Sequence, residues 1–81
     1  MAVKTTILTY PIMIDGVEVE KLQLRRPKVR DMLSVDKTAQ SDAEKEIALF
    51  ANLCEVPPAS LHELDMSDYA RLQQDYQSFL S

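Results

Sequence analysis

Residues 41–54 read SDAEKEIALFANLC, and this stretch determines how the rest of the chain can pack. Ser41 and Glu44 have the spacing of a capping box, which predicts that a helix begins here. Apolar residues follow in two adjacent stripes at helical spacing, the first of Ile47, Phe50, Ala51 and Cys54 and the second of Leu49 and Leu53. Because so much of its circumference is apolar, this helix must be covered on two sides. We expect it to carry more apolar surface than 81 residues can cover, with the surplus meant for another polypeptide.

The composition indicates one small globular domain over residues 1–81. Apolar residues make up 46% of the chain, charged residues 27%, and glycine occurs once. The single cysteine excludes an internal disulfide and any cysteine-based metal site, and it suits a reducing cytoplasm. No apolar run approaches the ~20 residues of a membrane span, and the N-terminal residues lack the charged-then-apolar layout of a signal peptide. The predicted location is therefore the cytoplasm, with no membrane partner.

Residues 5–25 are predicted to form a β-hairpin. Leu8, Tyr10, Ile12 and Ile14 alternate on one face, and the dipeptide Asp15-Gly16 suits a tight turn. In residues 17–24 the alternation breaks, which predicts either a bulge near residues 20–21 or a wider loop. Pro11 cannot donate a ladder hydrogen bond, so the first strand should be an edge or be interrupted there.

Residues 27–80 are predicted to be helical. Pro27 suits the first position of a helix that runs to about Lys37, and residues 38–40 are a short connection. Pro58 should begin a turn of helix, and Asp65 should be the N-cap of the last helix, with Asp68 adding support to its dipole. The expected apolar stripes are Val29, Met32 and Leu33 in the first helix, Leu61 and Leu64 near the turn, and Met66, Tyr69, Leu72, Tyr76, Phe79 and Leu80 in the last. The predicted fold is α+β and mainly helical: a hairpin, then three α-helices with a short helical turn before the last.

The side chains that catalysis would need are scarce. His62 is the one imidazole and lies in the predicted turn, while Cys54 lies on the inner stripe of the central helix. The carboxylates occur near helix starts, where the helix dipole explains them, and no glycine-rich phosphate loop is present. The sequence therefore predicts no enzyme, no cofactor and no metal site.

A basic cluster occupies the corner between the second strand and the first helix; its members are Lys21, Arg25, Arg26, Lys28 and Arg30. Residues 1–40 carry a net charge of +2, whereas residues 41–81 carry −6. One interpretation is a phosphate-binding surface, but no aromatic residue is interleaved and the rest of the chain is acidic. The commoner interpretation is a solvated face balanced within the molecule. A third is head-to-tail self-association, in which this corner meets the acidic helices of another copy.

The segment LQLRRPKVRDM, residues 22–32, resembles the strand-to-helix corner of a family of phage tail assembly chaperones from Mu-like and related contractile-tailed phages and prophages. The resemblance extends over the Asp15-Gly16 turn, residues 42–54 and the last helix. It implies a non-enzymatic protein of the host cytoplasm that holds the tape-measure protein during tail assembly and is absent from the finished virion. The family offers no catalytic residues to carry over.

The apolar helices suit such a role, because a chaperone must offer apolar surface to its client. The last helix has two interpretations, core packing or a face presented to a partner. We hypothesise that oligomer or client contacts involve Leu49, Leu53, Tyr69 and Tyr76. The alternative functions are a structural tail or baseplate component that stays in the virion and a small nucleic-acid-binding regulator.

Overall fold

The computed structural model describes residues 3–36 and 41–80. An antiparallel hairpin of β1 (Val3–Ile14) and β2 (Val17–Arg25) is followed by helices α1 (Val29–Asp36), α2 (Asp42–Cys54), α3 (Pro58–Leu61) and α4 (Met66–Phe79). The predicted α+β architecture is confirmed, including the short helical turn before the last helix. The predicted connection at residues 38–40 lies outside the described residues.

The hairpin turn has the predicted two-residue form. Asp15 and Gly16 have φ angles of 51° and 79°, the left-handed pair that matches the twist of the flanking strands. The strand register shifts further along: Ile7 pairs with Lys21, whereas Ile12 pairs with Val19. Residues 8–11 of β1 therefore lie opposite Glu20 alone, so the predicted interruption at Pro11 and the predicted bulge near residues 20–21 are one feature.

The bulge explains the irregular alternation of β2. It allows Val19 on one side of the irregularity and Leu22 on the other to face the helices, where Leu22 is buried and Val19 packs against the core. Tyr10 was expected to point inward with Leu8 and Ile12, but it is exposed. The reason is that Tyr10 lies inside the bulged segment, where β1 has no regular partner.

Helix α1 begins at Val29, not at Pro27 as predicted. The backbone N–H of Lys28 donates to the Asp31 carboxylate over 2.8 Å, and the Asp31 N–H donates to the Lys28 carbonyl over 2.9 Å. Lys28 thus occupies the cap position, and Asp31 acts as the N3 acidic residue of a capping box. Pro27 lies in the short connection before the helix.

The predicted apolar stripe of α1 is wrong. The guanidinium of Arg25, at the end of β2, donates two hydrogen bonds to the Asp31 carboxylate, over 3.0 and 2.7 Å. This contact turns the face of Asp31 and Val35, which are four residues apart, toward the protein. The apolar residues of the other face are left in solvent, with exposed fractions of 71% for Val29, 52% for Met32 and 56% for Leu33.

Helix α2 lies at the centre of the molecule, as predicted. The Ser41 hydroxyl accepts the Glu44 N–H over 3.1 Å, which confirms this part of the cap. At the other end, Glu55 adopts the left-handed conformation, and the Val56 N–H closes the helix on the Ala51 carbonyl. The prediction of a surplus of apolar surface on this helix is wrong. Phe50, Ala51 and Leu53 are buried, and the other apolar residues from Ile47 to Cys54 are partly buried.

The last two helices begin as predicted. Pro58 is the first residue of α3, and Leu61 and Leu64 pack into or against the core. The Asp65 carboxylate caps α4 by accepting the Ser67 N–H over 3.0 Å. The predicted stripe of α4 holds for Leu72 and Phe79, which are buried, but Met66 and Leu80 are exposed.

The sequence analysis assigned Asp68 only a role in supporting the dipole of the last helix, but on α4 its side chain points inward. Its side chain is fully buried, and its two oxygens accept the backbone N–H groups of Thr9 and Tyr10 over 2.9 and 3.0 Å. These two donors belong to the bulge, where β2 offers them no regular partner. Arg71 forms an ion pair with the same carboxylate. Asp68 therefore holds the bulged segment of β1 against α4.

Candidate protein-binding surface

The three exposed apolar residues of α1, Val29, Met32 and Leu33, form one surface that we call the α1 patch. They lie at positions i, i+3 and i+4, which places them side by side on a helix. A solvent-exposed apolar cluster on a small domain is the kind of feature that marks a binding surface. Its existence follows from the local sequence together with the Arg25–Asp31 contact, which fixes the rotation of α1.

A groove with a volume of about 200 Å³ adjoins the α1 patch. It lies where α1, α2 and α4 meet, and Met32 belongs to both the groove and the patch. We call it the α1–α2 groove; its lining residues are Met32, Val35, Lys45, Glu46, Leu49, Phe50 and Tyr76. The floor is apolar, while Lys45 and Glu46 place charges on the α2 side. Together the patch and the groove form a ridge and a depression that a partner helix could contact.

The structure brings two of the four predicted contact residues to this groove. Leu49 and Tyr76 line it and are half-buried, so part of each side chain is accessible. Tyr69 is half-buried, and its ring lies 5.8 Å from that of Phe50. Leu53 is 1% exposed and belongs to the core, so it offers no surface in this conformation. The role of these four residues in binding remains a prediction.

The back of the groove is fixed by a hydrogen-bond network between α2 and α4. The Tyr69 hydroxyl donates to the Glu46 carboxylate, and the same oxygen accepts the Gln73 amide over 2.7 Å. Burial, together with the Glu46 carboxylate, raises the pKa of Tyr69, so its hydroxyl remains a donor at neutral pH. These contacts hold α2 and α4 at a fixed spacing.

The predicted basic cluster divides into two groups. The Arg25 guanidinium is bound to Asp31: the hydrogen bonds between them lower the pKa of Asp31, against the opposing effect of burial, and raise that of Arg25. The guanidinium of Arg26 lies 5.8 Å from the centre of the Phe79 ring. The other three residues, Lys21, Lys28 and Arg30, are exposed, as is Arg26, and Lys28 and Arg30 flank Val29 at the start of α1. The cluster therefore supplies positive charge next to the α1 patch.

Other chemistry is sparse in the part of the chain that the structure describes. Among residues 3–36 and 41–80, no group of three or more His, Cys, Asp or Glu side chains could hold a metal ion. None of the helices in these ranges has the length and apolar character needed to cross a membrane. Burial raises the pKa of the Cys54 thiol to about 12, which leaves it protonated and unreactive at neutral pH.

The sequence analysis missed Asp31, whose carboxylate ties α1 to the end of β2. A usable signal was present, because Asp31 follows Lys28 at the spacing of an N-cap and its N3 residue. It was obscured because Val29, Met32 and Leu33 offer the regular spacing expected of a buried face. Asp68 gave no such local signal, since its partners lie 58 and 59 positions away in the chain.

Comparison with known proteins gives a match to one family over nearly the whole chain. The sequence model of a family described as phage tail assembly chaperone proteins, E, or 41 or 14, matches residues 5–81. The match includes both the α1 patch and the α1–α2 groove. Neither the curated proteins nor the solved structures give a match to this chain.

Proposed function

Since the chain belongs to the family of phage tail assembly chaperones, we propose that it binds the tape-measure protein through the α1 patch and the adjoining α1–α2 groove. The role is one of non-enzymatic protein binding, without a cofactor. The observation that carries the proposal is the exposure of Val29, Met32 and Leu33 on a single helix face. A chaperone needs apolar surface that a client can cover, and the α1 patch offers it.

The surface suggests the chemistry of the client segment. A helix with one apolar ridge would fit the α1–α2 groove and cover Leu49 and Tyr76 along its floor. The methionine at the junction, Met32, has an unbranched side chain that can adapt to different client side chains. Lys28 and Arg30 beside the α1 patch favour acidic residues along the flank of that helix. We therefore infer an amphipathic, acidic-flanked helix of the tape-measure protein as the bound segment.

Replacement of Met32 or Leu33 by aspartate is expected to weaken capture of the tape-measure protein about tenfold or more, because a charge would be buried in the apolar contact. The stability of the free protein should change little, since both side chains are already in solvent. Co-expression of the tape-measure protein with each variant, followed by affinity capture and quantification, measures the effect.

Met66→Asp is the matched control for this experiment. Met66 is the same residue type as Met32 and is 78% exposed, but it lies at the start of α4 and is not among the groove-lining residues. Capture should therefore be retained in Met66→Asp. Equal loss in Met66→Asp and Met32→Asp would mean that charge alone, and not the α1 patch, governs binding. Undiminished capture by both α1 variants would reject the proposed surface.

We also propose that the protein acts in the host cytoplasm and leaves before the tail is complete. A binding surface made of one exposed helix face and a shallow groove suits a transient complex better than a permanent structural contact. Mass spectrometry of purified virions should detect the tube and tape-measure proteins but not this chain. Its presence there at a fixed stoichiometry would favour the alternative, a structural tail or baseplate component.

A further inference from the structure

The outer edge of β1 is a second surface that the chaperone role does not use. Within residues 3–36 and 41–80 the sheet has two strands, so β1 has one neighbouring strand there and one open edge. In an antiparallel pair, every second residue directs both its N–H and its C=O away from the neighbouring strand. Among the described residues, the backbone–backbone hydrogen bonds of β1 are made with β2 alone. The first part of β1 therefore presents unpaired backbone groups at its edge.

A groove runs along this edge, between β1 and α4. Its volume is about 410 Å³, and its lining residues are Thr5, Thr6, Ile7, Thr9, Arg71, Gln74 and Asp75. A strand edge beside a helix is the arrangement into which an additional strand can be inserted. The bulge at residues 8–11 ends the regular edge, so the segment open to pairing is residues 3–7.

Residues 3–7 lack the features that usually protect an edge strand. Four of the five are β-branched, and no proline or bulge occurs before residue 8. The only charge is Lys4, whose ammonium lies 5.3 Å from the centre of the Phe79 ring of α4. That contact directs the charge toward the helix face and not across the edge. Both Val3, at 47%, and Ile7, at 63%, are exposed.

We propose that a second copy of this chain occupies the edge, with two β1 strands pairing antiparallel around a two-fold axis at Thr5. In this register Val3 of one copy lies opposite Ile7 of the other, twice by symmetry, and the two Thr5 residues face each other. The result is a continuous four-stranded sheet in the order β2-β1-β1-β2. The apolar cross-strand pairs cover the two exposed apolar side chains of the segment, Val3 and Ile7.

The charges favour the same register. Lys4 of one copy lies opposite Thr6 of the other, and the Thr6 hydroxyl donates to Asp75 at the groove wall. On dimerisation the Lys4 ammonium exchanges its contact with the Phe79 ring for Asp75 of the other copy, and the dimer gains this pair twice. Moving the axis to Lys4 would place two ammonium groups opposite each other. Moving it to Thr6 would extend the pairing into the bulge.

The register can be tested with a cysteine at the proposed axis. Thr5→Cys should form a disulfide-linked dimer under mild oxidation. Its cross-linking should be about tenfold faster than that of a control variant whose cysteines meet only by random collision of two chains. The control is Gln23→Cys, since Gln23 pairs directly with Thr5 across the hairpin and is also exposed. In the proposed sheet the two Gln23 residues are three strand spacings apart, roughly 14 Å, which is too far for a disulfide. Cys54 is present in both variants and is partly buried.

Light scattering on the purified chain provides the second measurement. The unmodified protein should have twice the monomer mass of 9.2 kDa, and Ile7→Lys should have the monomer mass while keeping its helical circular dichroism. The proposal is overturned if Thr5→Cys cross-links no faster than Gln23→Cys, or if a folded Ile7→Lys variant remains a dimer. A monomer mass for the unmodified chain would also overturn the proposal. If the β1 edge of that monomer became protected only when the tape-measure protein was added, the groove would bind a client strand instead. These measurements need no client, so their failure is distinguishable from failure of the chaperone role.

Discussion

Asp68→Asn is expected to lower the free energy of unfolding by about 3 kcal/mol, a large share of the roughly 4–12 kcal/mol typical of a domain of this size. The native carboxylate accepts two backbone N–H groups of the bulge, from Thr9 and Tyr10, and pairs with Arg71. An asparagine side chain has one acceptor oxygen, so its amide N–H₂ would face one of these donors. This loss lies at the lower end of the range expected when one partner of a buried ion pair is removed, because Arg71 is partly exposed and water can solvate it.

Urea unfolding followed by circular dichroism measures this change. Asp42→Asn is the matched control: Asp42 is also an acidic residue in the first turn of a helix, but it is exposed. Its replacement should cost less than about 1 kcal/mol, the value of a surface charge near a helix N-terminus. If the two variants were equally stable, Asp68 would contribute only to the helix dipole, as the sequence alone suggested.

The same carboxylate predicts a loss of stability in acid. Burial by itself raises the pKa of Asp68, but the N–H groups of Thr9 and Tyr10, together with Arg71, outweigh it and hold the pKa below its ordinary value of 3.8. Because the unfolded chain binds a proton more readily, this stabilisation is fully present above pH 3.8 and is lost as the pH falls through the lower, native pKa. The lowered pKa of Asp31 acts in the same direction. Asp68→Asn should therefore flatten the acid side of the stability curve without abolishing its slope.

Features with local causes could be predicted from the sequence. The Asp15-Gly16 turn, the Ser41 and Asp65 caps and the helix start at Pro58 each depend on residues within four positions of one another. Pro11 also indicated where the first strand would be interrupted, because a missing N–H has the same consequence in any fold. Local chemistry was thus sufficient to establish the order and type of the elements.

The faces of the helices could not be predicted in the same way. The side of a helix that becomes buried depends on contacts made elsewhere, and here two carboxylates decide it. Asp31 is held by Arg25 from the preceding strand, and Asp68 is held by the bulge of β1. Both displace apolar residues that were expected inside, since Val29, Met32 and Leu33 turn outward on α1 and Met66 does so on α4.

For the same reason, the candidate binding surface in the structure lies on a different helix from the one that the sequence indicated. The sequence placed the surplus apolar surface on α2, but that helix is largely covered by β2, α1, α3 and the tyrosines of α4. Part of the exposed apolar surface lies instead on α1, where the buried residues among 29–35 are Asp31 and Val35. Leu49 and Tyr76 nevertheless border the new surface, because the α1–α2 groove opens between the helix they were assigned to and the α1 patch. An exposed apolar surface is therefore present on α1, and not on α2 where it was expected.

Phe50→Ala is expected to be the most destabilising single truncation that changes no charge, with a loss of about 3–5 kcal/mol in the free energy of unfolding. Phe50 is 1% exposed and lies between two aromatic rings, with ring centres 5.8 Å from Tyr69 and 5.2 Å from Tyr76. Both neighbours are on α4, whose spacing from α2 is fixed by the Glu46 network. The cavity left by the ring cannot close easily, so most of its cost should be retained.

Phe50 also forms part of the floor of the α1–α2 groove. Its truncation should act through stability, whereas substitutions in the α1 patch should act through client binding. Phe50→Leu keeps most of the volume and should lose only about 1.5 kcal/mol. Leu33→Asp should leave the unfolding curve nearly unchanged and lose client capture, whereas Phe50→Ala should lose stability first and capture as a consequence. Urea unfolding and affinity capture on the three variants separate the two effects. If Leu33→Asp were as destabilising as Phe50→Ala, α1 would bury its apolar face in solution, and the binding surface would have to lie elsewhere.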